Sequence, residues 1–251
     1  MSKEYVYGFN VLEALTREAP HRVIRVFVDP ARRDSRVQDI KLSLKRCGLS
    51  WEHVSTRKIE ALAAGRHHQG IVAEVTVAPL LDEAGLIELV DGRVASFLCV
   101  LENIQDPGNL GACLRSAEGA GVDGVVLPRH DSCSITPVVR HTSAGAAELV
   151  PVAQVSNLAR VLKRLQMEMG FWIVGTSGDA DHTLYDIDLS GPVAMVFGSE
   201  NKGLKRLTKE SCDHLARIPM AGKTGSLNVS VAVGIGLFEV VRQRTIGGGK
   251  I

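Results

Sequence analysis

Apolar residues in the first part of the chain alternate between the period of a strand and the period of a helix. The run VIRVFV at Val23–Val28 is typical of a half-buried strand. Similar patterns predict a helix at 37–47, a strand at 51–54, a short helix at 59–64 and a strand at 71–77. We therefore expect a small α/β domain over residues 1–77. A polar stretch at 78–93, with one short helix near 85–90, predicts a linker.

The pattern becomes stronger beyond the linker, over residues 94–251. Short apolar runs predict strands at 94–101, 124–127, 171–175 and 193–197, with a weaker one at 215–218. Helical periodicity lies between them, at 110–119, 157–169 and 228–244. Alternating short apolar strands and helices are typical of a mostly parallel sheet covered on both faces. Ligands of such sheets bind beyond the carboxyl ends of the strands, so the loops there are the candidate site.

Composition narrows the class of protein. The chain has 251 residues, of which 45% are hydrophobic, which is enough for a substantial core. Its five cysteines include no C-x-x-C pair, which indicates reduced packing thiols. The start, MSKEYVYGFNVLEAL, lacks the apolar stretch of a signal peptide, and no apolar run reaches the ~20 residues that span a bilayer. We therefore expect a soluble cytoplasmic protein without a membrane partner.

Charge is distributed unevenly along the chain. The net charge is +1, yet residues 1–70 carry 13 Lys and Arg against 8 Asp and Glu. This surplus favours a first domain that contacts nucleic acid, although a solvated helix face accounts for it equally well. The residues concerned are Arg22, Arg25, Arg32, Arg33, Arg36, Lys41, Lys45 and Arg46.

The stretch DPGNLGACLRSAEGAGVDGVVLP has the outline of a cofactor loop, but its glycines do not fit one. Gly108 and Gly111 are spaced G-x-x-G, and no G-x-G-x-x-G opens the helix. Asn109 is suited to cap that helix, or to take part in a site. Arg115 stands among small and apolar residues, where an unpaired charge is unfavourable. Either Arg115 extends into solvent, or an anionic or nucleophilic group requires it.

Two later loops are also polar and rich in glycine. In GSENKGLKRL, two glycines bracket Glu200, which either sits near a helix N-terminus or holds a cation such as Arg115. In IPMAGKTGSLNVSVAVGIG, a glycine-rich loop leads through Ser226 and Asn228 into a buried helix. Helix capping accounts for one of these polar residues but not for Ser226, Asn228 and Ser230 together.

The three loops contain, in chain order, the patterns N-x-G-x-x-x-R, G-x-E-x-x-G and S-L-N-V-S. Together these patterns resemble the three motifs of the SpoU/TrmH family, the RNA ribose 2'-O-methyltransferases of the SPOUT superfamily. The segments YGFNVLEAL and HHQGIVAEV resemble the small ribosomal-protein-like (L30e-like) RNA-binding domain found in rRNA-modifying members. The resemblance implies an α/β fold with a C-terminal trefoil knot in the second domain. It also implies a homodimer whose active site draws on both chains.

The resemblance further implies S-adenosylmethionine as methyl donor, held mainly by backbone groups of Gly198, Ile218 and Leu227. It places Arg115 at the reacting hydroxyl, with Glu200 orienting it, and has the ribose positioned by Asn109, Ser226 and Asn228. The expected substrate is a guanosine of the 23S rRNA peptidyl-transferase P loop, in rRNA or in a large-subunit assembly intermediate.

Three alternatives stay open at this stage: a tRNA ribose methyltransferase, an adenosine-targeting rRNA methyltransferase and a non-catalytic protein of rRNA binding or ribosome assembly. The presence of Arg115, Glu200 and Asn228 counts against the last. A metal site is not expected, because His67 and His68 are adjacent, and His130 and Cys133 lack partners at structural-zinc spacing.

Overall fold

The computed structural model describes residues 3–65, 68–199 and 202–246. They form two compact units. The first contains the chain up to Pro79 together with Ile135–Leu149, and the second contains Leu80–Ser134 and the chain from Val150 onward. Residues 135–149 thus belong to the first unit, although they interrupt the sequence of the second.

The strands of the described residues form one sheet in each unit. In the first unit they are β1 (Lys3–Tyr7), β2 (Val23–Val28), β3 (Trp51–His53) and β4 (Ile71–Thr76), in the order β1-β4-β2-β3. Only β2 and β3 are parallel. In the second unit they are β5 (Phe97–Leu101), β6 (Gly124–Pro128), β7 (Val152–Val155), β8 (Trp172–Thr176), β9 (His182–Thr183), β10 (Val193–Phe197) and β11 (His214–Arg217).

The sheet of the second unit has the order β7-β6-β5-β10-β8-β11-β9, and every neighbouring pair is parallel. The predicted mostly parallel sheet is thereby confirmed. β5 and β10 lie at its centre and are buried along their whole length. Buried strands read as continuous apolar runs, which is why FLCVL and VAMVF show no alternation.

The α-helices of the described residues are, in chain order, α1 (Phe9–Glu18), α2 (Ser35–Arg46), α3 (Thr56–Leu62), α4 (Glu83–Val90), α5 (Pro107–Gly119), α6 (Pro137–Thr142), α7 (Leu158–Met169), α8 (Arg206–Lys209) and α9 (Val229–Ile246). The helix α4 falls inside the segment predicted as a linker, and its Leu86, Ile87 and Val90 join the core of the second unit. None of these helices is long and apolar enough to cross a membrane.

Buried charge holds residues 135–149 within the first unit. The guanidinium of Arg140 lies 2.7 Å from a carboxylate oxygen of Glu4 and also pairs with Glu148. Arg22 pairs with Glu148 at 2.6 Å and donates to the carbonyl of Thr76 at 3.0 Å. Arg22 is 8% exposed, so it is an internal ion-pair partner and not one of the surface cations expected to meet nucleic acid. Burial raises the pKa of Glu4, against the lowering effect of Arg140.

Two helices of the second unit pack close to one another and to the central sheet. A Cβ added to Gly236 of α9 would lie 2.7 Å from the Phe197 ring of β10, so only glycine fits that contact without a shift. A Cβ added to Gly234 would lie 3.7 Å from the hydroxyl oxygen of Ser116 on α5. Gly236 therefore permits close packing of α9 on the central sheet, which accounts for this glycine despite the low intrinsic helix propensity of the residue type.

Candidate functional site

The three loops singled out from the sequence follow neighbouring strands. The first loop leaves β5, the second leaves β10 and the third leaves β11. In the sheet, β5 pairs with β10, and β8 stands between β10 and β11. Because the strands are parallel, all three loops meet at the carboxyl edge of the sheet, where open α/β folds bind ligands.

Asp106, and not Asn109, caps the helix of the first loop. The helix α5 begins at Pro107, and a carboxylate oxygen of Asp106 accepts a hydrogen bond from the Asn109 backbone N–H at 2.7 Å. The interpretation of Asn109 as the cap is therefore wrong. Its side-chain oxygen instead accepts a hydrogen bond from the side-chain amide of Asn228 at 3.0 Å.

Asn228 has a double role in the third loop. Its side-chain oxygen accepts hydrogen bonds from the backbone N–H of Ser230 at 2.9 Å and from the Ser230 hydroxyl at 2.6 Å, directly before α9 begins. The predicted cap region is confirmed, and the same side chain reaches the first loop. Ser226 is exposed and does not take part in this cap.

Gly198 makes the second loop possible. A Cβ at this position would lie 2.2 Å from the carbonyl carbon of Gly203 and 2.5 Å from the backbone nitrogen of Leu204, which backbone atoms cannot tolerate. Gly203 has a φ of +60° and donates its N–H to the carbonyl of Ser199 at 2.8 Å. Glu200, the predicted partner of Arg115, lies outside the described residues.

A cavity of about 350 Å³, here called the larger cavity, opens between these loops. Gly198, Ile218 and Leu227, the three predicted cofactor residues, line it together with Ser226. Its other lining residues are mostly small or apolar, and three of them are charged: Asp179, Lys202 and Lys209. An added Cβ at Gly178 or Gly225 would meet nothing within 4 Å, so backbone is open to the cavity there.

A second cavity of about 200 Å³, here called the smaller cavity, adjoins the first. The two share Ser199, Lys202 and Val229 in their walls. The remaining lining residues of the smaller cavity come from the first loop: Asn103, Ile104, Gln105, Asp106 and Asn109. Asp106 is not among the residues predicted for the site, although an acidic residue directly before a proline is a typical helix start.

Arg115 stands apart from both cavities. It is exposed on α5, it lines neither cavity, and no carboxylate of the described residues lies within 4 Å of it. It shares a helix face with Gly119, four residues further on. A Cβ on Gly119 would lie 3.8 Å from the ring of Phe238, which is 49% exposed on α9. Arg115 therefore lies on the side of α5 that borders an exposed apolar part of α9.

The described residues contain no group of three or more His, Cys, Asp or Glu side chains that could hold a metal ion. Burial raises the pKa of the Cys212 thiol to about 12 and that of Cys99 well above its ordinary value. Both thiols are therefore protonated at neutral pH and unsuited to act as nucleophiles.

Comparison with known proteins agrees with this geometry. The SpoU rRNA methylase family matches residues 96–238, and the RNA 2'-O ribose methyltransferase substrate-binding family matches residues 5–80. The chain is 45% identical over 241 residues to the 23S rRNA (guanosine-2'-O-)-methyltransferase RlmB of Pasteurella multocida, covering 96% of this chain and 98% of that protein. It is 46% identical over 242 residues to the protein of the same name from Shewanella oneidensis, with the same coverage.

Among solved structures, the SpoU methyltransferase AviRb from Streptomyces viridochromogenes, in complex with AdoMet, superposes with a TM-score of 0.79 at 22% identity. The superposition covers 98% of this chain and 92% of that one. The chain belongs to the SpoU rRNA methylase family. The resemblance seen in the three motifs is thereby confirmed, as is the fold of a mostly parallel sheet with a small N-terminal α/β domain. The trefoil knot stays a prediction.

Proposed function

We propose that this protein transfers a methyl group from S-adenosylmethionine (AdoMet) to the ribose 2'-hydroxyl of a guanosine in 23S rRNA. The observation that carries the proposal is the meeting of the three motif loops at two adjoining cavities. The names of the relatives, at 45% and 46% identity over nearly the whole chain, support the reaction and the RNA. The finer target, the P loop of the peptidyl-transferase centre in rRNA or in a large-subunit assembly intermediate, forms part of the proposal, as does a cytoplasmic location.

The larger cavity fits the methyl donor. Its volume of about 350 Å³ lies within the range of small-molecule sites. At Gly178 and Gly225 the backbone is open to the cavity, so its N–H and C=O groups can pair with the donors and acceptors of an adenine and a ribose. Apolar walls come from Phe197, Ile218 and Leu227. Charged partners for a carboxylate and an ammonium group are also present, namely Lys202, Lys209 and Asp179.

When bound, AdoMet supplies an electrophilic methyl group on a positively charged sulfur. The task of the protein is then to hold the ribose hydroxyl in line with it. Alignment of two bound reactants supplies ~7–11 kcal/mol of a barrier. The hydrogen bond between Asn109 and Asn228 fixes the first and third loops relative to one another, and Ser226 lines the wall of the larger cavity. These side chains are suited to position the ribose.

Arg115 is proposed to act as a hydrogen-bond donor to the reacting oxygen. A guanidinium stays protonated in proteins and is therefore a poor base. It stabilises negative charge that develops on the oxygen as the proton leaves, and it attracts the neighbouring phosphate. Glu200, which follows Gly198 by two positions, is proposed to orient it.

A homodimer would bring Arg115 to the cavities. Within one chain Arg115 lines neither of them, and its helix packs on α9, where Val231 and Phe238 are about half exposed. Exposed apolar side chains of this kind are typical of a subunit interface. We propose that α5 and α9 form that interface and that Arg115 of one chain completes the site of the other.

The first unit is proposed to bind the RNA. Its exposed cations include Arg33, Lys45 and Arg46, which make no ion pair with the described residues. Such cations supply phosphate contacts that are independent of sequence. The target nucleoside itself is expected to be unpaired or displaced from a stem, because single-stranded bases and the 2'-hydroxyl are what proteins read in RNA.

The test is a methyl-transfer assay with labelled AdoMet and transcribed 23S rRNA, followed by mapping of alkali-resistant linkages. Methylation of a 2'-hydroxyl blocks alkaline cleavage at that nucleotide, so one resistant guanosine is expected. Transfer to tRNA in preference to 23S rRNA would support the alternative of a tRNA ribose methyltransferase. A folded protein that binds 23S rRNA and labels no RNA would instead support a role in ribosome assembly.

A further inference from the structure

The wall of the smaller cavity carries polar side chains besides the motif residue Asn109. Two amide side chains, Asn103 and Gln105, line it beside the carboxylate of Asp106. At about 200 Å³ it is below the usual size of a site for a whole small molecule and suits one planar part of a ligand. Since it adjoins the larger cavity, a nucleoside with its ribose near Asn109 can place its base there.

One carboxylate oxygen in this wall is available to bind a ligand. Asp106 uses Oδ1 to accept the Asn109 backbone N–H, and Oδ2 makes no hydrogen bond with a described residue. The side chain of Gln105 is likewise without a hydrogen-bond partner in the described part of the chain, and both residues are exposed and line the cavity. An ionised carboxylate has no proton to donate, so Oδ2 of ionised Asp106 acts as a hydrogen-bond acceptor and not as a donor.

We propose that the smaller cavity holds the purine base of the target nucleoside and that Oδ2 of Asp106 selects guanine by accepting its N1–H. Guanine carries a donor at N1, whereas adenine carries an acceptor there. A carboxylate facing adenine N1 would place two acceptors opposite each other and leave both without a proton. The Gln105 amide can turn to donate to O6 of guanine or to accept from the amino group of adenine, so it does not discriminate. This inference rests on the proposed function.

The substitution Asp106→Asn separates reading of the base from capping of the helix. Asparagine caps helices about as well as aspartate, so its oxygen keeps the bond to the Asn109 N–H. Its amide nitrogen then takes the place of Oδ2 and presents a donor where an acceptor stood. The variant should therefore favour adenine over guanine relative to the wild type.

The experiment uses a 23S rRNA fragment that contains the guanosine mapped by alkali resistance, and a second fragment with adenosine at that position. The wild-type protein should prefer guanosine by about 100-fold or more in kcat/KM, because a site built to pair one polar group rejects an analogue that cannot make the bond. Asp106→Asn should lower this ratio by at least ~10-fold, with a higher kcat/KM for adenosine than the wild type shows.

Two controls make the result specific. Asp82 caps α4 by accepting the Gly85 N–H at 2.9 Å, so Asp82→Asn makes the same chemical change at another helix and should leave the ratio unchanged. Asp106→Ser keeps a capping oxygen without a second polar atom, and should lower the preference for guanosine without any gain for adenosine.

An Asp106→Asn protein with the melting temperature of the wild type and an unchanged ratio would overturn the inference, and so would a wild type that methylates both fragments equally. Failure of the wild type to methylate any RNA would overturn the proposed function itself. The two failures are therefore distinguishable.

Discussion

The side-chain amide of Asn228 donates a hydrogen bond of 3.0 Å to the side-chain oxygen of Asn109, joining residues 119 positions apart. Asn228 caps α9 and Asn109 lies in the first turn of α5, so the bond fixes the starts of two packed helices relative to one another. It thereby connects the loop that lines the smaller cavity with the loop that lines the larger one. A site for two reactants needs such a connection, because catalysis by alignment depends on their relative position.

Removal of either side chain of this pair should slow methyl transfer. Asn109→Ala and Asn228→Ala are each expected to lower the single-turnover rate by about 10- to 100-fold, because small displacements of bound reactants have effects of this size. The double variant should lose less than the product of the two single losses, since both remove the same bond. Fully multiplicative losses would show that the two residues act independently.

The control for this pair is a capping asparagine away from the cavities. Asn157 caps α7 by accepting the Arg160 N–H at 3.0 Å. Asn157→Ala should lower the free energy of unfolding by about 1 kcal/mol, as cap removal does. The rate of methyl transfer should stay unchanged, which separates loss of a cap from loss of the connection between loops.

Arg115→Ala should strongly reduce methyl transfer while leaving the affinity for AdoMet nearly intact. Loss of a donor to a developing oxyanion lowers turnover by about 10²–10³-fold. Arg115 lies outside the wall of the larger cavity, so calorimetric titration with AdoMet should give a value close to that of the wild type. Arg164, a helix arginine paired with Glu168, provides the control, and Arg164→Ala should change neither quantity. Joint loss of binding and transfer in Arg115→Ala would contradict its assignment to the reacting oxygen.

Mixing of two impaired variants tests whether Arg115 acts on the partner subunit. Arg115→Ala and Asn109→Ala chains, unfolded and refolded together in equal amounts, should form about half mixed dimers, each with one intact site. Activity should then return to about a quarter of the wild-type value. Activity no higher than the sum of the two separate variants would show that Arg115 serves its own chain.

Gly198→Ala should strongly weaken binding of AdoMet. The added Cβ would lie 2.2 Å from the carbonyl carbon of Gly203, so the second loop must change its path. We expect the Kd measured by calorimetry to rise by about 100-fold or more, because the backbone that lines the larger cavity moves with the loop. Gly191 has no atom within 4 Å of an added Cβ, and Gly191→Ala should bind AdoMet like the wild type. An unchanged Kd in Gly198→Ala would show that this loop does not contact the donor.

Ionisation of Glu239 makes the stability of the second unit depend on pH. Its buried carboxylate accepts two hydrogen bonds of 2.7 Å from Arg242 and one of 2.8 Å from Gln243, and the bonds from Arg242 hold its pKa below the ordinary value of 4.5. Because the pKa is lowered in the folded state, its contribution to stability is complete above about pH 4.5 and is lost as the pH falls. Glu239→Gln should therefore lower the free energy of unfolding by about 1–2 kcal/mol at pH 7 and by less at pH 3.

Urea unfolding at the two pH values measures this difference. The exposed pair of Arg206 and Glu210 provides the control, and Glu210→Gln should change the stability by less than about 0.5 kcal/mol at either pH. If Glu239→Gln lowers the free energy of unfolding equally at pH 3 and pH 7, the effect comes from altered packing and not from loss of the charge.

Local pattern was sufficient to predict five strands of the parallel sheet, namely β5, β6, β8, β10 and β11. The strands at Val23–Val28 and Val193–Phe197 have the predicted bounds, because apolar runs bounded by turn residues identify them. β1, α1 and β7 were not predicted, because their sequences mix charged or small residues with short apolar runs. The place of residues 135–149 in the first unit depends on ion pairs of Arg140 with Glu4 and Glu148, which have no local signal in the sequence.

The candidate site was predicted from motifs, and the structure adds what motifs do not contain. Spacing along the chain does not show that Asp106 replaces Asn109 as the cap, since both residues are good caps. Nor does it show that Lys202 lies in the wall of both cavities. Arg115 was expected beside the other site residues, and its position on the outer side of α5 depends on the packing of α9, which only the fold determines.

A crystal structure of the protein with bound AdoMet tests the assembly of the site most directly. The adenosyl group should lie in the larger cavity against Gly198, Ile218 and Leu227, with the methyl group directed toward the wall shared with the smaller cavity and toward Arg115 of a partner chain. Density for the donor at any other place, or a methyl group remote from Arg115 of both chains, would contradict this account.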